Sequence, residues 1–206
     1  MGDDVCEKKR PIRKAMRLKG YDYSRGGCYF VTICVRDRKA ILSKVFPVRQ
    51  KEPLNRVGTG VLARPQYAVK LSAFGKIVEE TISYIDAHYD AVQIDKYCIM
   101  PDHIHLLITL QSDDLIGQDR RGYGYAITSL SAPQTFPLSG ESHLSLRDVV
   151  RQFKTYTTKR CREATGDNSL LLWQPRYYDH IIRNDEDYCE KWRYIDENPI
   201  KYLYSY

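Results

Sequence analysis

Met100-Pro101-Asp102-His103-Ile104-His105-Leu106-Leu107-Ile108 sets two histidines, one residue apart, inside an apolar run. The chain has only 5 histidines in 206 residues, so the pair is a local concentration. On an extended strand, residues i and i+2 point to the same face. His103 and His105 then project side by side, while Ile104, Leu106, Ile108 and Leu110 turn to the opposite face and form a core. Two neighbouring imidazoles suit one divalent metal ion. An edge pair bonded to backbone or solvent is the plainer alternative. Two ligands hold an ion poorly, so a third has to come from elsewhere in the chain.

The elements around this stretch follow from pattern. AVQIDKYCIM (91–100) reads as a strand, and Pro101-Asp102 separates it from the strand HIHLLITL (103–110), as in a hairpin. CYFVTICVRDR (28–38) is a strand that opens after Gly26-Gly27. Between Leu71 and His88 the residues Phe74, Ile77, Val78, Ile82 and Ile85 recur at helical spacing. Ser145 caps a helix beginning at Leu146. WQPRYYDHIIR (173–183) holds a short strand or irregular connector. Asn184, with Asp187 three residues on, is a variant capping box. The helix it starts is expected to run to Asn198 and stop before Pro199. This order predicts an α+β fold, a small antiparallel sheet with helices packed on one face. Residues 1–20 read as a basic flexible arm and 21–206 as one domain. Loop insertions are expected at about 43–70 and 111–144, where no period is sustained.

Composition narrows the class. The net charge of +6 favours an anionic partner such as nucleic acid. The 17 tyrosines beside Lys and Arg suit base stacking, though packing alone also accounts for them. The cysteines at positions 6, 28, 34, 98, 161 and 189 form no CxxC pair, which argues against structural zinc and for free thiols in a reducing compartment. The charged N-terminal stretch has no apolar core of a secretory signal, and no apolar run approaches the ~20 residues of a membrane span. A cytoplasmic protein is expected.

The third ligand is sought on the last helix. In KWRYIDENP (191–199), Tyr194 and Asn198 are four apart and share a helix face, with Glu190 and Glu197 flanking it. Tyr194 sits at the border of the apolar stripe formed by Tyr188, Trp192 and Ile195. On the helix after Ser145, Lys154, Tyr156, Lys159, Arg160 and Arg162 resemble a phosphate-gripping face with a stacking residue. A solvated basic face is the alternative there.

Together these stretches resemble a known family. MPDHIHLLI resembles the histidine-hydrophobic-histidine signature of the HUH endonucleases. FKTYTTKR (153–160), WQPRYYDHIIRN (173–184), YIDENPIKY (194–202) and YFVTICVRDRKAIL (29–42) resemble the REP-associated tyrosine transposases, single-tyrosine HUH transposases related to the insertion-sequence-two-hundred type. The resemblance spans roughly residues 20–203, with the motifs in order.

It implies a ferredoxin-like (RRM-like) sheet with the HUH motif on a central strand. It implies Mg²⁺ or Mn²⁺ held by His103, His105 and Asn198, and Tyr194 as nucleophile. The implied activity is nicking and rejoining of single-stranded or hairpin DNA through a 5′-phosphotyrosine, hence DNA transposition and recombination. His180 belongs to one of the family-like motifs, as a DNA contact or a support for the connector. The family often has Asn before the first histidine; Asp102 stands there in this chain, as a turn cap or a bond to the metal's waters. A mobile C-terminal helix, hinged around Arg183-Asn184 and working at times across a homodimer, is a further implication.

The alternatives are a domesticated hairpin-DNA-binding protein without transposition activity, an RRM-like RNA binder, and an HxH metal hydrolase with water as nucleophile. The absence of a GxxxxGK[ST] phosphate loop agrees with resealing that needs no ATP.

Overall fold

The computed structural model describes residues 26–48, 67–111 and 145–204. In chain order the elements are β1 (Gly27–Cys34), a 3₁₀ turn (Arg36–Arg38), β2 (Ser43–Pro47), β3 (Tyr67–Leu71), α1 (Ala73–His88), β4 (Val92–Ile99), β5 (His103–Leu110), α2 (Leu146–Thr165), β6 (Tyr178–Ile181) and α3 (Asp185–Tyr204). Four strands form one antiparallel sheet in the order β4-β5-β1-β6. With the β2–β3 hairpin set aside, the sequence of elements is βαββαβ followed by a helix, the ferredoxin-like arrangement. The histidine strand, β5, is central, between β4 and β1.

Alternation decides what each sheet face carries. Tyr29, Val31 and Ile33 of β1 and Ile104, Leu106 and Ile108 of β5 are buried on one face, against Val78, Ile82 and Ile85 of α1 and Val149, Val150 and Phe153 of α2. Each such side chain contributes about 1.5–3 kcal/mol by leaving water. The opposite face carries Phe30 and Leu107, and Ile195 of α3 is buried against them. The two crossover helices thus share one face as expected, but the helices are not all on it: α3 covers the other face, on the side of the histidines.

Local chemistry sets the helix ends. The Ser72 hydroxyl accepts from Gly75 N at 3.1 Å and caps α1. A Cβ at Gly75 would drive into the carbonyl oxygen of Leu42, so glycine permits the chain before β2 to cross the helix start. Ser145 caps α2, accepting from Asp148 N at 3.3 Å, and Gly166 closes it in the left-handed region at φ 71°. Asn184 Oδ1 accepts from Asp187 N at 2.9 Å at the start of α3.

Three expectations are corrected. The first strand ends at Cys34, and the chain turns at Arg36–Arg38 rather than continuing extended to residue 38. The region 43–70 is not loop at its ends: Ser43–Pro47 pairs with Tyr67–Leu71, Val45 opposite Val69. Their alternation is short, and Lys44 faces Lys70, so no apolar period announces them. The last helix does not stop at Asn198 but runs through Pro199 to Tyr204. Proline inside a helix costs about 3 kcal/mol through its missing N–H and its ring. Asn198 and Pro199 are both buried, and packing of this segment against the sheet offsets that cost.

The expected arm, residues 1–20, and the insertion at 111–144 beyond Gln111 lie outside the described residues. Among the described residues no helix is long and apolar enough to cross a membrane.

Candidate active site

The register of β1 against β5 places Cys34 opposite His103 and Thr32 opposite His105. The two imidazoles therefore lie on the face shared with Phe30 and α3. Their Nε2 atoms converge to 3.1 Å. Two adjacent ligands of an octahedral ion at about 2.1 Å each are themselves about 3.0 Å apart, so the pair has the separation of a chelating edge.

Each ring is held from behind. The Nδ1 of His103 donates to Asp102 Oδ1 at 2.6 Å, and Nδ1 of His105 bonds the Thr32 hydroxyl at 2.9 Å. Metal-ligating histidines commonly use their second nitrogen in this way. Asp102 thus serves to hold His103, and its second oxygen meets the Arg38 guanidinium at 3.4 Å. Burial lowers the pKa of His103, against the pull of Asp102. Burial, then the nearby His103 and Arg38 charges, lowers that of His105 to about 3. Both rings are neutral near pH 7, the form that ligates metal.

From α3, Asn198 reaches the same point. Its amide Nδ2 donates to His105 Nε2 at 3.2 Å, and the residue is 8% exposed. Rotating the amide by half a turn puts Oδ1 in that place. Among the described residues no three His, Cys, Asp or Glu side chains gather to hold an ion. An ion here would rest on the two imidazoles and this amide, a donor set suited to a hard or borderline divalent cation.

One turn before Asn198, the Tyr194 ring meets His105 edge-on, centroids 5.2 Å apart, and Phe30 edge-on at 5.6 Å. Phe30 also stacks on His105 at 5.2 Å. The phenol belongs to a residue 38% exposed, so its ring is positioned while solvent still reaches it. Lys201 Nζ lies 5.2 Å from the Tyr194 ring centroid and 3.1 Å from Glu197.

His103, His105, Tyr194 and Asn198 thus come together, and the remaining sequence candidates do not join them. His180, on β6 opposite Phe30, bonds both carboxylate oxygens of Asp187 at 2.8 and 3.0 Å and ties β6 to α3. Lys154 donates to the carbonyls of Gln174 and Pro175 at 2.5 and 3.1 Å, fixing the connector. Arg160 lies against Tyr156 and meets Glu80 of α1 at 3.4 Å. Lys159 faces solvent near Glu163. Lys154, Tyr156, Lys159 and Arg160 belong to α2, which packs on the sheet face away from the histidines.

Sequence reasoning missed Thr32, Phe30, Arg38 and Lys201. Lys201 had a signal, seven residues after Tyr194 on one helix face. Thr32 and Phe30 emerge only from the β1–β5 register.

No family model matches the chain. Relatives do. An uncharacterised protein of Haemophilus influenzae is 30% identical over 188 residues, 91% of this chain and 88% of that protein. A second H. influenzae protein, provisionally named a REP-associated tyrosine transposase, is 28% identical over 89% of this chain and 76% of its own length. The REP-associated tyrosine transposase of Escherichia coli K12 is 22% identical over 87% of this chain and 70% of its own. A solved REP-associated tyrosine transposase bound to a REP hairpin aligns with 91% of this chain and 74% of its own, at 20% identity and TM-score 0.49. The chain is a transposase. It resembles the REP-associated tyrosine transposases among its relatives over most of its length.

Proposed function

We propose that this transposase nicks and rejoins single-stranded hairpin DNA through a covalent 5′-phosphotyrosine on Tyr194. The observation that carries the reading is the packing of Tyr194 against His105, where two imidazole Nε2 atoms and an amide converge.

His103, His105 and Asn198 would hold Mg²⁺ or Mn²⁺, which supplies Lewis-acid stabilisation of charge on the scissile phosphate. Tyr194 Oη attacks phosphorus, the P–O3′ bond breaks, and the 3′-oxygen leaves as a hydroxyl with the proton the phenol gives up. In rejoining, a 3′-hydroxyl attacks the same phosphorus and the P–Oη bond breaks. Splitting one displacement into two retains the phosphodiester's energy in the adduct. Phe30 and His105 fix the phenol ring, and Lys201 adds positive charge beside it. All of these residues come from one chain, so no second copy is needed to bring them together; a homodimer would serve strand exchange, not assembly of the site. On α2, Lys159 is the candidate for contact with distant phosphates.

The test incubates protein with end-labelled hairpin DNA from the gene's own flanks and Mn²⁺, then resolves it under denaturing conditions. A protease-sensitive adduct is expected, absent with Tyr194→Phe, His103→Ala or EDTA. Cleavage that persists in Tyr194→Phe would overturn the tyrosine mechanism in favour of a hydrolase. Hairpin binding without any adduct would support a domesticated DNA-binding role.

A further inference from the structure

We infer that Asp102, braced by Arg38, is a positioning residue that sets the tautomer of His103 and so aims its Nε2 lone pair into the site. The inference deepens the metal reading above and rests on it for its purpose, but not for its geometry.

A carboxylate offers only acceptors. With Asp102 Oδ1 at 2.6 Å, His103 Nδ1 must carry the hydrogen. A neutral imidazole has one such hydrogen, so Nε2 is left with its lone pair directed at His105 Nε2, 3.1 Å away. With the Asn198 amide nitrogen toward it, His105 Nε2 is an acceptor as well. In that amide orientation two acceptor nitrogens face one another, an arrangement that a cation beside them would relieve.

The brace on Asp102 is built into the backbone. Asp37 and Arg38 both adopt positive φ, 56° and 55°. Such conformations in non-glycine residues cost on the order of 1–3 kcal/mol each and are held only when their surroundings demand it. Here Arg38 N donates to Val35 O at 3.1 Å, and Val35 N donates to the carbonyl of Asp102 itself at 2.8 Å. The turn and the Asp102 backbone are one hydrogen-bonded unit. Its result is to place Arg38 Nη1 3.1 Å from Cys34 Sγ and 3.4 Å from Asp102 Oδ2. Cys34 is the residue opposite His103 in the sheet. An ion pair whose arginine side chain is 55% exposed adds little stability. Strain of this size beside so weak a pair points to geometry as the quantity maintained: the second carboxylate oxygen is occupied, so the first stays on Nδ1.

The experiment measures His103 ring ¹⁵N shifts in metal-free protein near pH 7, and Mn²⁺ affinity by electron paramagnetic resonance, for the wild type, Asp102→Asn, Asp102→Ala and Arg38→Met. The wild type is expected to show the Nδ1–H form. Both Asp102 variants should gain the Nε2–H form and lose about 10- to 100-fold in Mn²⁺ affinity. Arg38→Met should shift both readouts in the same direction by less, and Lys76→Ala, at an exposed position of α1, should leave both unchanged. If Asp102→Ala fails to fold, Asp102→Asn carries the comparison. An Nε2–H wild type, or Asp102→Asn with unaltered tautomer, would overturn the inference. Mn²⁺ binding equal in wild type and His103→Ala would instead sink the metal reading, while the metal-free spectra still decide the role of Asp102.

Discussion

The Asn198 amide nitrogen lies 3.2 Å from His105 Nε2, across 93 residues of chain. That single bond joins the helix carrying Tyr194 to the strand carrying the histidines. An amide can serve both states of such a site, its NH₂ donating to a bare imidazole and its oxygen, after a half-turn, facing a cation. Asn198→Ala should weaken Mn²⁺ binding by about tenfold and destabilise the metal-free protein by about 1–3 kcal/mol, the cost of stranding a buried polar group. Asn198→Asp should lower the metal-free melting temperature as well, because a buried carboxylate would face acceptor nitrogens. Mn²⁺ should restore that loss, and a thermal melt with and without the ion reads both effects.

Acid should weaken the fold through the buried histidines. The pKa of His105 is about 3 in the native protein, against an ordinary histidine near 6.5 when unfolded. Between those values the unfolded chain binds more protons, so stability rises with pH and is lost as pH falls below about 6.5. His103, lowered in the same sense, adds to the slope. The slope for one proton is at most about 1.4 kcal/mol per pH unit. Urea unfolding in EDTA at pH 7, 6 and 5 should show the decline, and His105→Gln should flatten it. An unchanged midpoint between pH 7 and 5 would show that His105 takes its proton as readily folded as unfolded.

The legible parts of this molecule were those written in local chemistry. The i, i+2 rule put His103 and His105 on one face, the cap residues Ser145 and Asn184 marked two helix starts, and i, i+4 spacing paired Tyr194 with Asn198. What escaped depends on tertiary partners. Pro199 signals a helix end by itself, and only burial against the sheet carries α3 past it. Strands β2 and β3 are five residues each, with lysines opposed, and pair across a separation that no window reveals. Lys154 and Arg160 look like phosphate ligands in a charge count, yet two carbonyls hold one and Tyr156 and Glu80 engage the other. Asp102 lies next to His103 in sequence, but its orienting role depends on Arg38 arriving through a turn at positive φ.

The attachment of α3 is the place to test whether Tyr194 travels during strand exchange. Sheet pairing extends to Ile182, whose N donates to Cys28 O at 2.9 Å, so Arg183 and Asn184 are the short link before the helix. Across that link, Asp187 accepts from His180 at 2.8 Å and from Arg183 N at 3.4 Å, with Lys191 Nζ at 3.8 Å. Burial works against the Asp187 carboxylate, but the bond to His180 and the neighbouring donors outweigh it and hold its pKa below the usual value. Asp187→Ala removes the point where these groups meet and should cost about 1–2 kcal/mol. Amide hydrogen exchange should accelerate through residues 185–192 and stay unchanged in β5. Single cleavage by Tyr194 should survive, since Ile195 and Asn198 still seat the helix. If α3 must swing between strands, the rate of rejoining to a second DNA end should change with the loosened anchor. Equal exchange rates in Asp187→Ala and wild type would show that the sheet contacts of Ile195 and Asn198, not the His180–Asp187 pair, hold the helix in place.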